Sequence, residues 1–513
     1  MSVTQLPTQQ SGGVGAALPR IDAELKVSGL AKYTSDHRFA GMLIAVPVCA
    51  TIARGAVQRI DTSAAAGMPG VRRIYTHENI GKLYRVSGAP GAQIDEKRPP
   101  MEDTLVRYYG QYVALVVADT FEQATAAAAR VKVDYRRESA NVAKPMKESE
   151  SGKGELPVVS ERGDAAAAFA SAAVTVDETY TTPIETHNPI ELHATVAQFD
   201  GQNFTLHETS QAIVNHKAVM AQMLGVQPEN VRVITEYLGS GFGGKLWPWG
   251  HSLLGAVAAR DLGRPVKLVV TRGMMFHNVG HRTNTQQRIR LSASSDGRLT
   301  SLRQDFLFHQ GQEGGSKENC GEMTSFLYGT DNLRVSGGPV KRDIAPNTSM
   351  RGPGAVPGLF CTESAIDELA IKLGMDPVQF RLQNEPSIDL GMKVPFSSRH
   401  LSECLSTGAE RFGWGKRTPA VGSMRRADGV VLGWGVAGCS WGAKRVAAQA
   451  SVALMADGGA RVSSAVQDIG TGTYTVLAQM VTELTGIASS KVTVSIGDTR
   501  LPPGPFSGGS MAT

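Results

Sequence analysis

Hydrophobic positions along this chain change period several times, and each change marks an element. Tyr112-Val113-Ala114-Leu115-Val116-Val117-Ala118 is an unbroken apolar run of strand length, the pattern of a strand covered on both faces. The alanine-rich stretch Phe121 to Arg130 then reads as a helix, and Val131 to Tyr135 alternates like a half-buried strand. Together with the short segments before them, these make one α/β domain over residues 21–137, after a loose polar arm over 1–20. Residues 138–160, rich in Lys, Glu, Ser, Pro and Gly, read as a linker.

A second block follows over 161–395. Near its end Ile366, Leu369, Ala370 and Leu373 mark one face of a helix, and Asp376 caps another with Pro377 at its first position. The third block, 396–513, stops in a glycine-rich stretch without a closing element and is expected to be incomplete. Blocks two and three each carry an alternating hairpin, around Asp296-Gly297 and Asp457-Gly458. The fold class is therefore mixed α/β and α+β.

Composition narrows the function classes. With 513 residues, 42% hydrophobic and 19% charged, the chain is ordinary globular protein of several domains. A net charge of +5 without basic runs gives no nucleic-acid arm and no polybasic membrane patch. Apolar stretches are too short to span a bilayer, and Met1 to Arg20 lacks the basic and apolar regions of a signal peptide. The five cysteines, Cys49, Cys320, Cys361, Cys404 and Cys439, are far apart with no C-x-x-C, so neither a zinc nor an iron–sulfur site is expected.

The most informative stretch is a strand over Val231 to Leu238, the loop Gly239-Ser240-Gly241-Phe242-Gly243-Gly244-Lys245, and a helix over His251 to Arg260. Strand, glycine loop and helix together place bare amides against an anion. The loop matches a P-loop except that Leu246 stands where a magnesium-binding hydroxyl is required. It also matches G-x-G-x-x-G, although Val266 to Val270 ends in Thr271-Arg272 and offers no acid for a ribose, which leaves NADP as an alternative ligand. A plain glycine turn is the third reading.

Gly241-Phe242-Gly243-Gly244-Lys245 resembles the molybdenum-site loop of the xanthine dehydrogenase and aldehyde oxidase large subunits. Tyr109 to Ala114 is similar to that family's hammerhead domain, Thr182 to Glu191 to the opening of its first molybdenum domain, and Asn347-Thr348-Ser349-Met350-Arg351-Gly352 to its arginine–glycine turn. Asp468-Ile469-Gly470-Thr471-Gly472-Thr473 resembles a loop of its second molybdenum domain. The likeness covers almost the whole chain and is strongest to bacterial periplasmic aldehyde oxidases. It implies a hammerhead domain followed by two molybdopterin-binding domains, the second truncated.

What the resemblance implies for function is oxidation of aldehydes to carboxylic acids, with water as the oxygen source, on a molybdenum–molybdopterin cytosine dinucleotide. Gln211 would reach a molybdenum oxygen, while Gly241, Phe242 and Gly243 would pass their backbone close to the metal. Arg351 would steady anionic groups, and Asp468, Ile469, Gly470, Thr471 and Gly472, with Gly509, Ser510, Met511 and Ala512, would grip the pterin and its phosphates. No side chain would ligate the metal directly. Taken alone, Gln211 would be a capping or surface residue, Phe242 a core aromatic and Arg351 an ordinary ion-pair partner.

Xanthine-oxidising relatives carry an acid after the loop lysine, so Leu246 implies an apolar substrate wall suited to aldehydes. The family's general base, a Glu in Gly-x-Gly-Glu, is expected beyond Thr513, and no catalytic residue is expected within the chain. Gly152-Lys153-Gly154-Glu155 matches by coincidence, since it lies in the linker. The chain alone is thus expected to be inactive. The resemblance implies that electrons leave through a two-cluster 2Fe-2S small subunit and an FAD-binding medium subunit. A periplasmic site is expected by export with a signal-bearing partner, otherwise a cytoplasmic one. The alternatives are an NADP-binding reductase using residues 239–245 and a non-catalytic assembly subunit.

Overall fold

The computed structural model describes residues 12–88, 91–151, 155–442 and 444–511. Ala512, the Gly152–Gly154 part of the linker match and the first eleven residues of the arm lie outside the described residues.

Tyr112–Ala118 is a strand with every residue buried, as its apolar run requires, paired on one side with Leu43–Cys49 and on the other with Val71–Thr76. The sheet does not end there. Leu43, Ile44 and Ala45 pair in parallel with Val266, Lys267 and Leu268, which joins three strands of the first block to four of the second. The seven-stranded order runs Val231–Ile234, Phe204–Glu208, Ala194–Phe199, Val266–Val269, Leu43–Cys49, Tyr112–Ala118, Val71–Thr76. Helices Ile213–Leu224 and Gly250–Leu262 cover it, and Leu43, Leu115, Val117, Leu206, Val233, Leu254 and Leu268 fill one shared core. Blocks one and two therefore share one packing unit at this sheet.

The second block contributes a further sheet of five strands, Val158–Arg162, Leu333–Arg342, Leu299–Gly311, Thr285–Ala293 and Val174–Thr182. Its central hairpin turns at Asp296–Gly297 as expected. Helix Ala355–Leu373 packs its apolar face on this sheet, and the Asp376 carboxylate caps the next helix by accepting from Val378 and Gln379 amides. In the third block, Ser451–Leu454, Ala460–Ser464 and Val492–Ile496 form a three-stranded sheet backed by helix Thr473–Thr485. No helix among the described residues is long and apolar enough to cross a membrane.

Three expectations change. The strand expected over Val231 to Leu238 ends at Ile234, because the Thr235 amide turns away to donate to the Gly497 carbonyl at 2.7 Å. The stretch read as a linker is fastened down. The buried Arg342 guanidinium donates to the Lys144 and Pro145 carbonyls and to Glu150, Met146 and Leu156 pack on Leu307 and Val340, and Val158–Arg162 is an edge strand. The described part of the arm also has a seat: the Gln479 side-chain amide donates to the carbonyls of Gly13 and Ala16.

Candidate functional site

The glycine loop carries two non-glycine residues in the left-handed region, Ser240 (φ 72°) and Phe242 (φ 55°), followed by Gly243 at φ 102°. Such conformations cost about 1–3 kcal/mol each and persist only where neighbours over-determine them. Gln211 is the main neighbour. Its buried side chain accepts from the amides of Gly243 (2.9 Å) and Lys245 (3.4 Å), while its Nε2 donates to the Ser507 carbonyl at 2.8 Å. Its backbone doubles the tie, donating to Lys245 and accepting from Ser507. A Cβ on Gly241 would sit 2.3 Å from Gln211 Oε1, and one on Gly243 would sit 2.3 Å from the Ser349 carbonyl. Both glycines are there for space.

From the other side, the Arg351 amide donates to the Phe242 carbonyl at 2.8 Å. The buried Arg282 guanidinium holds this turn by donating to the carbonyls of Arg351 (2.6 Å) and Gly352 (3.2 Å). Three segments, 239–246, 349–352 and 507–511, thus meet. Phe242, 40% exposed, and the exposed Arg351 side chain stand on the open side of that junction. Phe242 is no core aromatic. Leu246 lies inside, close enough to the next segment that a Cβ on Gly508 would meet its Cδ2 at 3.0 Å.

Beneath the loop the polar groups are buried and paired. Lys245 Nζ is 2.9 Å from Glu191 Oε2, which also accepts from the Gly239 amide. The Gly244 carbonyl accepts from Trp249 Nε1 (2.8 Å) and meets His193 Nε2 (3.1 Å), and His187 Nε2 meets the Ser349 carbonyl (2.9 Å). Burial pushes the His187 imidazole down to about 4 and His193 well below its ordinary value, so both are neutral with Nε2–H facing a carbonyl. The amides of residues 243–246 are all bonded within the protein, and the lysine points inward. A P-loop or NADP cradle needs the opposite arrangement, so the loop does not serve as one.

In the loop over 468–473, the buried Asp468 side chain accepts from the amides of Gly470 (2.7 Å) and Gly472 (3.2 Å), which removes both as donors to a ligand. Gly472 caps helix Thr473–Thr485, Thr471 is exposed and Ile469 half-buried. The Ser507 hydroxyl, donating to the Gln467 carbonyl at 2.7 Å, ties this loop to the junction around Gln211. Gly509 accepts from Trp441 Nε1, Ser510 is exposed at φ 60°, and Met511 is half-buried.

Comparison with known proteins decides the family. The description "Molybdopterin cofactor-binding domain" matches residues 150–385 and again 407–513, and "Aldehyde oxidase and xanthine dehydrogenase, a/b hammerhead domain" matches 28–139. The aldehyde oxidoreductase molybdenum-binding subunit PaoC of Escherichia coli K12 is 37% identical over 98% of this chain and 68% of its own length. The chain belongs to the aldehyde oxidase and xanthine dehydrogenase family. The aldehyde oxidoreductase of Megalodesulfovibrio gigas is 31% identical over 72% of this family member and 43% of its own length. The solved aldehyde oxidoreductase of Desulfovibrio gigas superposes with a TM-score of 0.82 at 26% identity, and this family member spans 59% of that structure.

The residues of this family member fit a molybdopterin group. The junction has a space-demanding glycine pair at its floor, the exposed Phe242, Arg351 and Ser510 at its rim, and behind it two buried oxygens, Asp468 Oδ2 and Gln467 Oε1, with no hydrogen-bond partner among the described residues. Sequence reasoning gave no individual role to His187, His193, Glu191, Arg282 or Ser507, although His187 and Glu191 fall within the Thr182 to Glu191 resemblance. No spacing rule marks them, because each acts on a segment distant in the chain.

Proposed function

We propose that this chain is the molybdenum-bearing subunit of an enzyme that oxidises aldehydes to carboxylic acids with water as the oxygen source. The observation that carries this reading is the junction itself, where the Phe242–Arg351 bond and the Gln211 strut bring three segments together around an open rim. A bound molybdenum cofactor, in its cytosine dinucleotide form, supplies the two-electron oxidation.

This chain's residues hold and screen. Gln211, Gly241, Phe242 and Gly243 fix the floor, with one Gln211 Nε2 proton already given to Ser507 and the second left for an oxygen at the site. The Phe242 ring, on the open side, excludes water from an aldehyde. The Arg351 cation, free of carboxylates on its own turn, faces anionic groups. Ile469, Gly470, Thr471 and Gly472, with Gly509, Ser510, Met511 and Ala512, border the pterin and its nucleotide tail. There Asp468 acts by shaping its loop, since its Oδ1 is already engaged.

Leu246, buried behind Gly508, supplies an apolar backing that favours aldehydes over purines. No residue of this junction is assigned as proton acceptor: one oxygen of Glu191 is paired with Lys245, and one oxygen of Glu318 accepts from the Gly354 amide at 2.6 Å. Electrons leave through a 2Fe-2S subunit and an FAD subunit.

The test is co-production with such partners, followed by measurement of molybdenum, of cytidine monophosphate released by acid, and of turnover. We expect both constituents in equal amounts and kcat/KM for benzaldehyde at least about a hundredfold above that for xanthine. Protein lacking molybdenum, or comparable xanthine turnover, overturns the reading.

A further inference from the structure

The N-terminal segment is the least expected part of the cofactor region. It crosses to the third block and makes contacts concentrated on one loop and the helix that follows it. The Arg20 guanidinium donates to the carbonyl of Gly470, and the Ile21 amide donates to Thr475 Oγ1 at 3.1 Å. Upstream, the carbonyls of Gly13 and Ala16 accept from Gln479 at 3.1 and 2.9 Å. Downstream, Lys26, ion-paired with Asp22 on its own helix, lies 3.9 Å from the buried Asp468 Oδ2 and 5.6 Å from the centre of the Tyr237 ring. Tyr237 in turn stacks on Tyr474 with centroids 5.7 Å apart.

Each contact with the third block spans more than four hundred residues of sequence, apart from that of Tyr237, and each meets either the 468–473 loop or helix Thr473–Thr485. The loop needs such support. Gly470 and Thr471 are exposed, and within the loop only the Asp468 carboxylate organises the backbone, by capturing two amides. Carbonyls are left over, and Arg20 takes the one at Gly470.

We infer that residues 12–27 are a clasp on the cofactor site, in which Arg20 is a positioning residue that holds the 468–473 loop through the Gly470 carbonyl, with Lys26 adding a longer charge contact at Asp468. The clasp slows loss of the cofactor by keeping this loop closed. The inference rests on the reading that the loop borders the cofactor. Arg20 is exposed, so its replacement leaves the core intact.

The experiment uses the chain assembled with its partner subunits and compares wild type, Arg20→Ala and Arg20→Lys. Two quantities are read: hydrogen exchange at the amides of residues 469–476, and molybdenum retained through prolonged dialysis. For Arg20→Ala we expect exchange about five- to tenfold faster, as loss of one hydrogen bond implies, and molybdenum lost several-fold faster. Arg20→Lys, which still offers a donor, restores most of both. Unchanged exchange in Arg20→Ala overturns the clasp. Faster exchange with unchanged molybdenum keeps the contact but overturns the role of the loop at the cofactor, and the proposal with it. A lysine variant that behaves like the alanine variant also overturns the assignment of a specific donor.

Discussion

Two glycine-rich loops in this protein look alike as strings and differ as structures. In 239–246, Gln211, Glu191, Trp249 and His193 reach the backbone from below, Arg351 reaches it from beside, and Lys245 is folded inward. In 468–473, one carboxylate captures two amides, and the middle of the loop stays at the surface. The first loop is held by its surroundings and tolerates left-handed Ser240 and Phe242. The second is held mostly by itself and by the N-terminal clasp. Glycine content alone therefore says little about what a loop does. What decides is where each amide, carbonyl and cation finds its partner.

Breaking the first loop should cost most. Glu191→Leu strands the buried Lys245 ammonium and should destabilise the fold by about 3–5 kcal/mol in denaturant titrations, with molybdenum lost. Gly243→Ala places a methyl against the Ser349 carbonyl at a positive φ, with an expected loss of about 2–4 kcal/mol and abolished turnover. Gln211→Leu leaves the Gly243 amide and Ser507 carbonyl unpaired, about 1–3 kcal/mol, and should lower kcat more than it raises KM.

The imidazole beneath the loop gives a pH arm to the contrast. His187, held near 4 when folded against an ordinary 6.5, is neutral in the native state, so the unfolded chain takes up its proton first as pH falls. Stability is full above about 6.5 and declines towards 4. His187→Gln should flatten that part of the profile in urea titrations across this range. The smallest effect belongs to the second loop. Asp468→Ala removes two amide partners at a surface turn, and should shift global stability by about 1 kcal/mol while speeding local exchange.

Patterns that depend on near neighbours were legible in the sequence. The run over Tyr112 to Ala118 is a strand because full burial needs no polar position, and Asp376-Pro377 caps a helix through amides two and three residues on. Elements fixed by distant partners were not legible. Residues 138–160 read as a linker because composition does not show that Arg342 and Asp343 need them as acceptors and donors. Ile234 ends its strand because Gly497 competes for the next amide. At the candidate site, the motifs drew attention to the glycine loop and the arginine turn. Gln211 could be named only by likeness, since its partners lie 32 and 296 residues away.

The parallel pairing of Leu43–Ala45 with Val266–Leu268 also bears on how the protein is made. On the ribosome the first of these strands emerges roughly 220 residues before the one that covers its edge. At about 5–20 residues per second that is a wait of about 10–45 s with an apolar edge unpaired. The nascent chain should depend on a holding chaperone during that interval, and slower translation between the two strands should lower the yield of soluble protein.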